Sequence, residues 1–287
     1  MDSFRDEMLH DDQIRVIHDF QDSSQCFPGV EIKGGVCYFL WASNSHGNCA
    51  IYEHSTDEVT MSERPLLEPG MTTLIRSKEA ISILYKVRAK GEKPLSEMLN
   101  GGRFFGFHTK VNWESNGNGT IQTADGKDTI PVAKAKDVSH NVKVYISHGI
   151  AWIDRSAVPK NEEHIDDYKV LIPRAGNPAS TILGKPKISE PGSCSSNTYV
   201  VALLKNGTAE TAENMISYLQ TKFLRFLVSL MTSTQDIPPK AYSFVPQQDY
   251  SHAWCDSDLY QKYDLTDNEI AFIESSIPQM SVVGGDD

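Results

Sequence analysis

The segment that decides the fold is Val36-Cys37-Tyr38-Phe39-Leu40-Trp41, a nearly continuous apolar run that begins directly after Gly34-Gly35. A strand that is buried on both faces explains such a run better than a half-solvated strand, in which polar residues would alternate with apolar ones. Residues 14–20 form a predicted strand upstream of the run. Residues 49–53 follow a polar turn, and we expect them to return as the second arm of a hairpin with the apolar run.

The rest of the chain is predicted to mix helices and strands. Apolar residues at helical spacing indicate a helix at residues 75–90, and a wide apolar stripe makes residues 209–231 the longest helix. Thr266-x-x-Glu269 is a capping box, which predicts a last helix at residues 266–277. The expected fold class is therefore mixed α+β. Further strands are predicted within residues 100–131 and at residues 142–146, 169–172 and 199–204.

The composition is that of an ordinary globular protein, with 39% hydrophobic and 23% charged residues in a chain of 287. The five cysteines are widely spaced and include no C-x-x-C pair, which predicts neither a zinc site nor a disulfide framework. Reduced thiols in a cytoplasmic protein are the expectation. There is no secretory signal and no apolar run of about 18 residues, so we expect neither secretion nor a membrane-spanning helix.

The net charge of −11 is distributed unevenly. Residues 1–31 hold eight acids and two bases, and residues 251–287 hold eight acids and one base. The 219 residues between them hold 24 bases and 22 acids. A near-neutral middle can carry a basic face, so the overall acidity does not exclude a polyanionic partner for that region.

Nine polar or basic residues lie in or beside predicted loops and have side chains that suit contacts to nucleic acid. Arginine and lysine neutralise phosphates or bind guanine, whereas asparagine and glutamine pair with adenine in the major groove. On composition alone these are ordinary solvated residues. They are Arg103, His108, Lys110, Lys169, Arg174, Asn177, Gln235, Lys240 and Tyr242.

The triplet Glu31-Ile32-Lys33, with Asp19 upstream, offers an alternative function. Many nucleases bind Mg²⁺ with an aspartate and the glutamate of a Glu-x-Lys triplet, and the lysine polarises the attacking water or the phosphate. Gly34-Gly35 breaks the chain directly after Lys33, which argues against the core strand that such a triplet needs. No histidine stands at helical spacing with a partner carboxylate, so no metal site is predicted elsewhere.

Three stretches of the sequence carry a family resemblance. They are FRDEML and CFPGVEIKGGVCYFLW at residues 4–9 and 26–41, ISYL and TKFLRF at residues 216–219 and 221–226, and YSFVPQQDY, Trp254 and LYQKY at residues 242–250, 254 and 259–263. Together they resemble adenine-N6 DNA methyltransferases of bacterial restriction–modification systems, notably the Eco57I-like, type IIG group. Residues 42–198 match only loosely, as a region that selects different DNA sequences would.

The resemblance implies a domain organisation and a function. Residues 1–65 correspond to the C-terminal strands of a Rossmann-like methyltransferase sheet, residues 66–250 to an α/β target-recognition domain, and residues 251–287 to an acidic helical tail. The implied function is sequence-specific binding of double-stranded DNA, which delivers an adenine to the active site, located elsewhere, of a methyltransferase or a bifunctional methyltransferase–nuclease. S-adenosylmethionine is the cofactor expected for the complete enzyme, and none is expected in this chain.

Two motifs that methyltransferase chemistry requires are missing from this sequence. It contains no glycine-rich cofactor loop and no Asn-Pro-Pro or Asp-Pro-Pro tetrapeptide that ends in an aromatic residue. Because the enzyme must hold both S-adenosylmethionine and a flipped base, we predict no catalytic residue here and no catalysis by this chain alone. The remaining alternative is an interaction subunit or truncated remnant that binds no DNA, which the overall acidity favours.

The resemblance also places the apolar run in a sheet whose other members are absent. A strand such as Val36–Trp41 would then expose a hydrophobic edge. We therefore expect it to be buried against a separate methyltransferase N-terminal portion, against a second copy of the chain, or against the recognition domain.

Overall fold

The computed structural model describes residues 2–30, 32, 34–55, 58–177, 182–232 and 234–280. The chain folds as two compact units, the first ending at Ala89 and the second beginning at Lys90. Residues 66–89 therefore belong to the first unit. Helices and strands occur in both units, which confirms the predicted α+β class. None of the described helices is long and apolar enough to span a bilayer.

The first unit is built around a four-stranded sheet. Its elements are α1 (Asp2–His10), β1 (Ile14–Phe20), β2 (Val36–Trp41), β3 (Cys49–His54), β4 (Val59–Arg64) and α2 (Lys78–Ala89). The order across the sheet is β2-β1-β3-β4, with β1 antiparallel to β2 and parallel to β3. The hairpin predicted between the apolar run and residues 49–53 is therefore wrong, because β1 lies between these two strands and pairs with both.

Strand β2 lies at an edge of this sheet, and its large apolar side chains are exposed. Tyr38, Phe39, Leu40 and Trp41 keep 55%, 46%, 56% and 49% of their surface accessible. The prediction that this run is buried on both faces is wrong for this chain. The described elements leave about half of each of these side chains uncovered, and β1 is the sole sheet neighbour of β2 among the described strands, so the outer backbone edge of β2 is unpaired as well.

The second unit contains two sheets and several helices in its described residues. Its strands are β5 (Leu99–Asn100), β6 (Phe107–Trp113), β7 (Asn118–Thr123), β8 (Thr129–Ala133), β9 (Val142–Tyr145), β10 (Ile150–Ile153), β11 (Tyr168–Pro173), β12 (Lys187–Ser189), β13 (Ser193–Ser195) and β14 (Tyr199–Leu204), and its helices are α3 (Ala209–Gln220), α4 (Lys222–Ser229), α5 (Asp256–Lys262) and α6 (Asp267–Ser276). One sheet has the order β13-β9-β10-β8-β7-β6, and the other has the order β12-β11-β14-β5.

The six-stranded sheet has a buried face and an open face. Side chains that alternate along its strands form one hydrophobic core with Phe105 from the turn before β6, and this core includes Phe107, Ile121, Val132, Val144 and Ile153. The residues between them point to the other face, which is exposed at Pro131 and Ile150 and covered at Tyr145, where it packs against a core cluster of the four-stranded sheet of this unit. This alternation is the period-2 geometry of a strand with one solvated side.

The long helix predicted at residues 209–231 is two helices, α3 and α4, and the break falls at Thr221. This residue has an extended ψ of 148°, and its hydroxyl accepts a hydrogen bond from the N–H of Leu224 at 3.2 Å. The Asp256 carboxylate accepts from the N–H groups of Lys222 and Phe223 at 3.1 and 2.8 Å. A hydroxyl and a carboxylate thus satisfy the first free N–H groups of α4, so a new helix begins there.

The acidic C-terminal segment is bonded to this same helix. Lys222 Nζ donates to a Glu274 carboxylate oxygen at 2.5 Å. The capping box predicted for the last helix is confirmed, because the Thr266 hydroxyl accepts from the Glu269 N–H at 3.4 Å and the Glu269 carboxylate accepts from the Thr266 N–H at 2.7 Å. Helices α5 and α6 are therefore integral to the packing of the second unit.

The core of the first unit is small and adjoins one buried and one partly buried carboxylate. Its apolar members are Ile14, Ile17, Cys49, Ile51 and Leu66, with Met8 and Leu74 packed against them. Asp19 on β1 is 5% exposed and lies 3.3 Å from the Arg76 guanidinium. Beside it, Glu53 on β3 is desolvated by burial and repelled by Glu79, and these effects raise its pKa to about 7 although Arg64 opposes them.

Replacing Glu53 with Gln is expected to stabilise the protein at high pH only. Because the folded pKa of about 7 lies above the ordinary value of 4.5, the folded state keeps a proton that the unfolded state releases. The free energy of unfolding therefore falls as the pH rises between these two values. We expect the free energy of unfolding of Glu53→Gln, measured by urea unfolding, to exceed that of the wild type by about 1–2 kcal/mol near pH 8 and to equal it near pH 4. An equal effect at both pH values would contradict this.

Candidate nucleic-acid interface

Two loops of the second unit are joined by backbone hydrogen bonds at one end of the sheet β12-β11-β14-β5. One follows β11 and begins at Arg174, and the other follows α4 and includes Gln235. The N–H of Gly176 donates to the Gln235 carbonyl at 2.8 Å, and the N–H of Ile237 donates to the Arg174 carbonyl at 2.9 Å. Gly176 has no room for a side chain, because a Cβ there would lie 2.2 Å from Ile237 Cδ1. The two loops are thus held in one arrangement.

The Arg174 side chain reinforces this junction. Its Nε and Nη2 donate to the two carboxylate oxygens of Asp236 at 2.5 and 2.8 Å, and its Nη1 donates to Asn197 Oδ1 at 3.3 Å. The hydrogen bonds of the ion pair raise the pKa of Arg174 and lower that of Asp236. Both groups therefore stay charged at neutral pH, and Arg174 orients the loops.

A third loop reaches the same place through Gly102. A Cβ on Gly102 would lie 2.6 Å from both the carbonyl oxygen and the Oδ1 of Asn197, so only glycine allows this approach. The next residue, Arg103, is exposed. Because Asn197 also binds Arg174, the exposed Arg103 lies near the joined loops. We call residues 101–103, 174–177 and 235–237 the loop cluster.

The structure brings together four of the nine residues predicted from the sequence. Arg103, Arg174, Asn177 and Gln235 all belong to the loop cluster. Lys240 is exposed in the short 3-10 turn Pro239–Tyr242 that follows it. His108 and Lys110 lie elsewhere, exposed on strand β6 at the edge of the six-stranded sheet.

Two of the nine residues are buried, so the prediction that they contact DNA does not fit the structure. Lys169 is fully buried, and its Nζ donates to the carbonyl oxygens of His164, Ile165 and Asp167 at 3.0, 3.1 and 2.5 Å. Burial lowers its pKa to about 8. Tyr242 is also fully buried. Lys169 supports a turn and Tyr242 fills the core, and neither presents its polar atom to a ligand.

The nuclease alternative involves residues that the structure describes only in part. Asp19 is buried and paired with Arg76, while Glu31 and Lys33 lie outside the described residues. In the described part of the chain, no group of three or more histidine, cysteine, aspartate or glutamate side chains is placed to hold a metal ion.

The sequence prediction missed two residues that organise the cluster, Asp236 and Asn197. Both act through Arg174, from positions 62 and 23 residues further along the chain. Asp236 stands next to Gln235, and a carboxylate beside a predicted contact residue was the one available signal. Nothing local to Asn197 indicates that it meets two other loops.

The fold and this site define a two-unit α+β protein with a polar loop cluster that carries exposed cationic groups. No family model matches the chain. A protein of Mycoplasma pneumoniae named as an uncharacterized adenine-specific methylase is 45% identical to it over 49 residues. The match covers 17% of this chain and 12% of that protein, far less than two thirds of its length. This partial likeness supports a relationship to the adenine-specific methylases.

Replacing Lys169 with Met is expected to lower the free energy of unfolding by about 2–4 kcal/mol, because three carbonyl oxygens lose their buried ammonium donor. Urea unfolding at neutral pH measures the loss. Lys187→Met on the neighbouring strand β12 is a matched control, since Lys187 is exposed and should change stability little. A loss no larger than that of the control would show that the three hydrogen bonds contribute nothing net.

Proposed function

We propose that this chain is the DNA target-recognition part of an adenine-N6 methyltransferase of the restriction–modification type. In this proposal S-adenosylmethionine and the catalytic residues belong to another portion of the enzyme. The second unit binds duplex DNA and positions the target adenine. The partial relative named as an adenine-specific methylase supports the class of enzyme.

The observation that carries the proposal is the loop cluster. Exposed Arg103 and Gln235 project from loops whose backbones are fixed by hydrogen bonds and by the Arg174–Asp236 pair. Loops that stand on a rigid sheet are a usual place for recognition residues, because the scaffold holds them in position. A cluster with this support binds without first ordering its backbone, so less of the binding free energy is lost.

The side chains of the cluster suit two different kinds of contact. Among the described residues, neither Arg103 nor Lys240 forms an ion pair, so their charges can bind phosphates, or in the case of Arg103 a guanine. Gln235 and Asn177 carry amide groups, which match the donor and acceptor of adenine in the major groove. Arg174 is already bound to Asp236, so its role is to position the loops. His108 and Lys110 would extend the phosphate contacts along β6.

Selection of bound duplexes from a randomised pool is expected to enrich a short sequence that contains adenine. Arg103→Gln and Lys240→Gln should each weaken binding to the selected duplex and reduce the slope of log affinity against log salt by about 1, because each removes one phosphate contact. Gln235→Ala should relax the preference at one base, by about 1–3 kcal/mol. Fluorescence anisotropy across a salt series measures these effects.

Lys205→Gln supplies the matched control, because Lys205 is exposed in the turn after β14. The loop assignment fails if this variant weakens binding as much as Arg103→Gln and Lys240→Gln do. Absence of duplex binding by the wild-type chain at low salt would overturn the DNA-recognition proposal for the isolated chain.

We further propose that the free edge of β2 receives a strand of the methyltransferase catalytic portion. Four consecutive large apolar residues, Tyr38 to Trp41, are about half exposed and point alternately to both sides of the sheet. A strand with apolar side chains on both sides is typical of the interior of a sheet covered by helices. Natural edge strands carry charges that prevent pairing, and β2 carries none. The other edge strand, β4, carries the exposed Glu63.

Leu40→Lys is expected to separate this chain from its catalytic partner. The wild-type complex purified from its natural source should contain bound S-adenosylmethionine. The Leu40→Lys protein should purify without it and should keep its affinity for duplex DNA. Met61→Lys on β4 is the matched control, because Met61 is 53% exposed on the opposite edge of the same sheet. Equal loss in both variants, or a wild-type protein that is only a dimer of this chain, would contradict the proposal.

A further inference from the structure

The sheet that contains His108 and Lys110 is unusually free of acid. The chain has 38 aspartate and glutamate residues, yet strands β6, β7, β8, β9 and β10 contain none. They contain Lys110 and Lys143 instead. These strands therefore present lysine and no acid within a protein of net charge −11, and such local charge affects which polyanions can approach.

Trp152 lies at the centre of the open face of this sheet. Its neighbours in the sequence, Ala151 and Ile153, are buried in the core, so the indole points the other way. In the sheet it stands directly opposite Ala133 on β8 and Lys143 on β9. Because Ala133 ends at Cβ, no large side chain stands opposite the indole on that side.

The ammonium groups of two lysines lie over the ring of this indole. Lys136 Nζ lies 5.6 Å and Lys143 Nζ 5.8 Å from the centroid of the Trp152 ring. Lys143 also binds Glu190, whose other carboxylate oxygen accepts from the Tyr145 hydroxyl at 2.6 Å. Partial burial acts to raise the pKa of Glu190, but these two hydrogen bonds hold it below its ordinary value. The charge of Lys143 is thus compensated, whereas Lys136 forms no ion pair in the described part of the chain.

We infer that the open face of the six-stranded sheet binds single-stranded nucleic acid, with an unpaired base stacked on Trp152 in place of the Lys136 ammonium group, which moves to the adjoining phosphate. An aromatic side chain that alternates with lysines on an open sheet is the arrangement by which proteins bind single strands irrespective of sequence. This inference goes beyond the proposed function, because it uses none of the loop-cluster residues.

A single strand suits this face better than a duplex does. The bases of a duplex are stacked within the helix, so a half-buried indole on a sheet could reach only the sugar and phosphate. The bases of a single strand are free to stack on an aromatic ring, and the charge of Lys136 beside the ring then meets the backbone. Asn112 on β6 would continue the contact along the open face.

Fluorescence anisotropy with a labelled oligothymidylate tests the inference. The wild-type chain should bind at low salt, and Trp152→Leu should weaken binding about 5- to 100-fold through loss of one stacked base. Lys136→Gln should weaken it about 3- to 10-fold and reduce the salt slope by about 0.7, the value for one phosphate of a single strand. In the wild type, oligothymidylate should also quench tryptophan fluorescence, and Trp152→Phe should remove that quenching even if Trp152→Leu does not fold.

The same sheet offers matched controls on its opposite face. Trp113 packs against the core, and Lys134 Nζ lies 5.4 Å from its ring centroid, which reproduces the lysine–tryptophan contact on the other side. Trp113→Phe and Lys134→Gln should leave oligothymidylate binding and quenching unchanged. Absence of binding by the wild type, or equal losses in these controls, would overturn the inference.

Two further comparisons separate this surface from the loop cluster. Once duplex binding by the loop cluster is weakened by Arg103→Gln and Lys240→Gln together, a duplex that contains the oligothymidylate strand should bind more weakly than the single strand does. Tighter duplex binding that Lys136→Gln abolishes would instead make the face a duplex surface and contradict the inference. Arg103→Gln alone should not change oligothymidylate binding. The single-strand surface can therefore stand if the loop-cluster proposal fails, and the reverse also holds.

Discussion

The arrangement of the loop cluster depends on the ion pair between Arg174 and Asp236. Two parallel N–H···O bonds fix the guanidinium in the plane of the carboxylate, so the pair sets the relative orientation of the two side chains as well as attracting them. Both side chains are partly exposed, so solvent screens much of the Coulomb energy, and the main contribution of the pair is geometric. Through Asn197 the same guanidinium reaches the loop that holds Gly102. Three segments far apart in the sequence are thereby brought to one place.

The sequence predicts local structure in this chain better than it predicts pairing. The limits of β1 and β2 follow from β-branched and apolar runs between turns, and α2 follows from helical spacing. The parallel pairing of β1 with β3 could not be predicted, because it depends on which strand finds a partner and not on the composition of either. The break at Thr221 is similar, since Asp256, 35 residues away, supplies the carboxylate that allows a new helix to begin.

The candidate site was predictable in the type of its residues and not in their position. Arg103, Arg174 and Gln235 were selected because charged and amide groups in loops suit DNA, and the structure places them together. Lys169 met the same criterion, yet it is buried, because carbonyl oxygens of a nearby turn supply the acceptors that a buried ammonium needs. Trp152 was overlooked, since a single tryptophan in a strand is usually core. Its outward direction follows only from the burial of Ala151 and Ile153.

The bonding of the acidic C-terminal segment changes how the overall charge of the protein should be understood. Asp256 faces the positive end of α4, Glu269 faces that of α6, and Glu274 neutralises Lys222. Each of these carboxylates meets positive potential within the fold, so its field is partly cancelled before it reaches solvent. A polyanion that approaches the second unit therefore meets these carboxylates with positive groups beside them, which weakens their repulsion at close range. The acidic residues of this segment therefore stabilise the fold as well as adding negative charge to the surface.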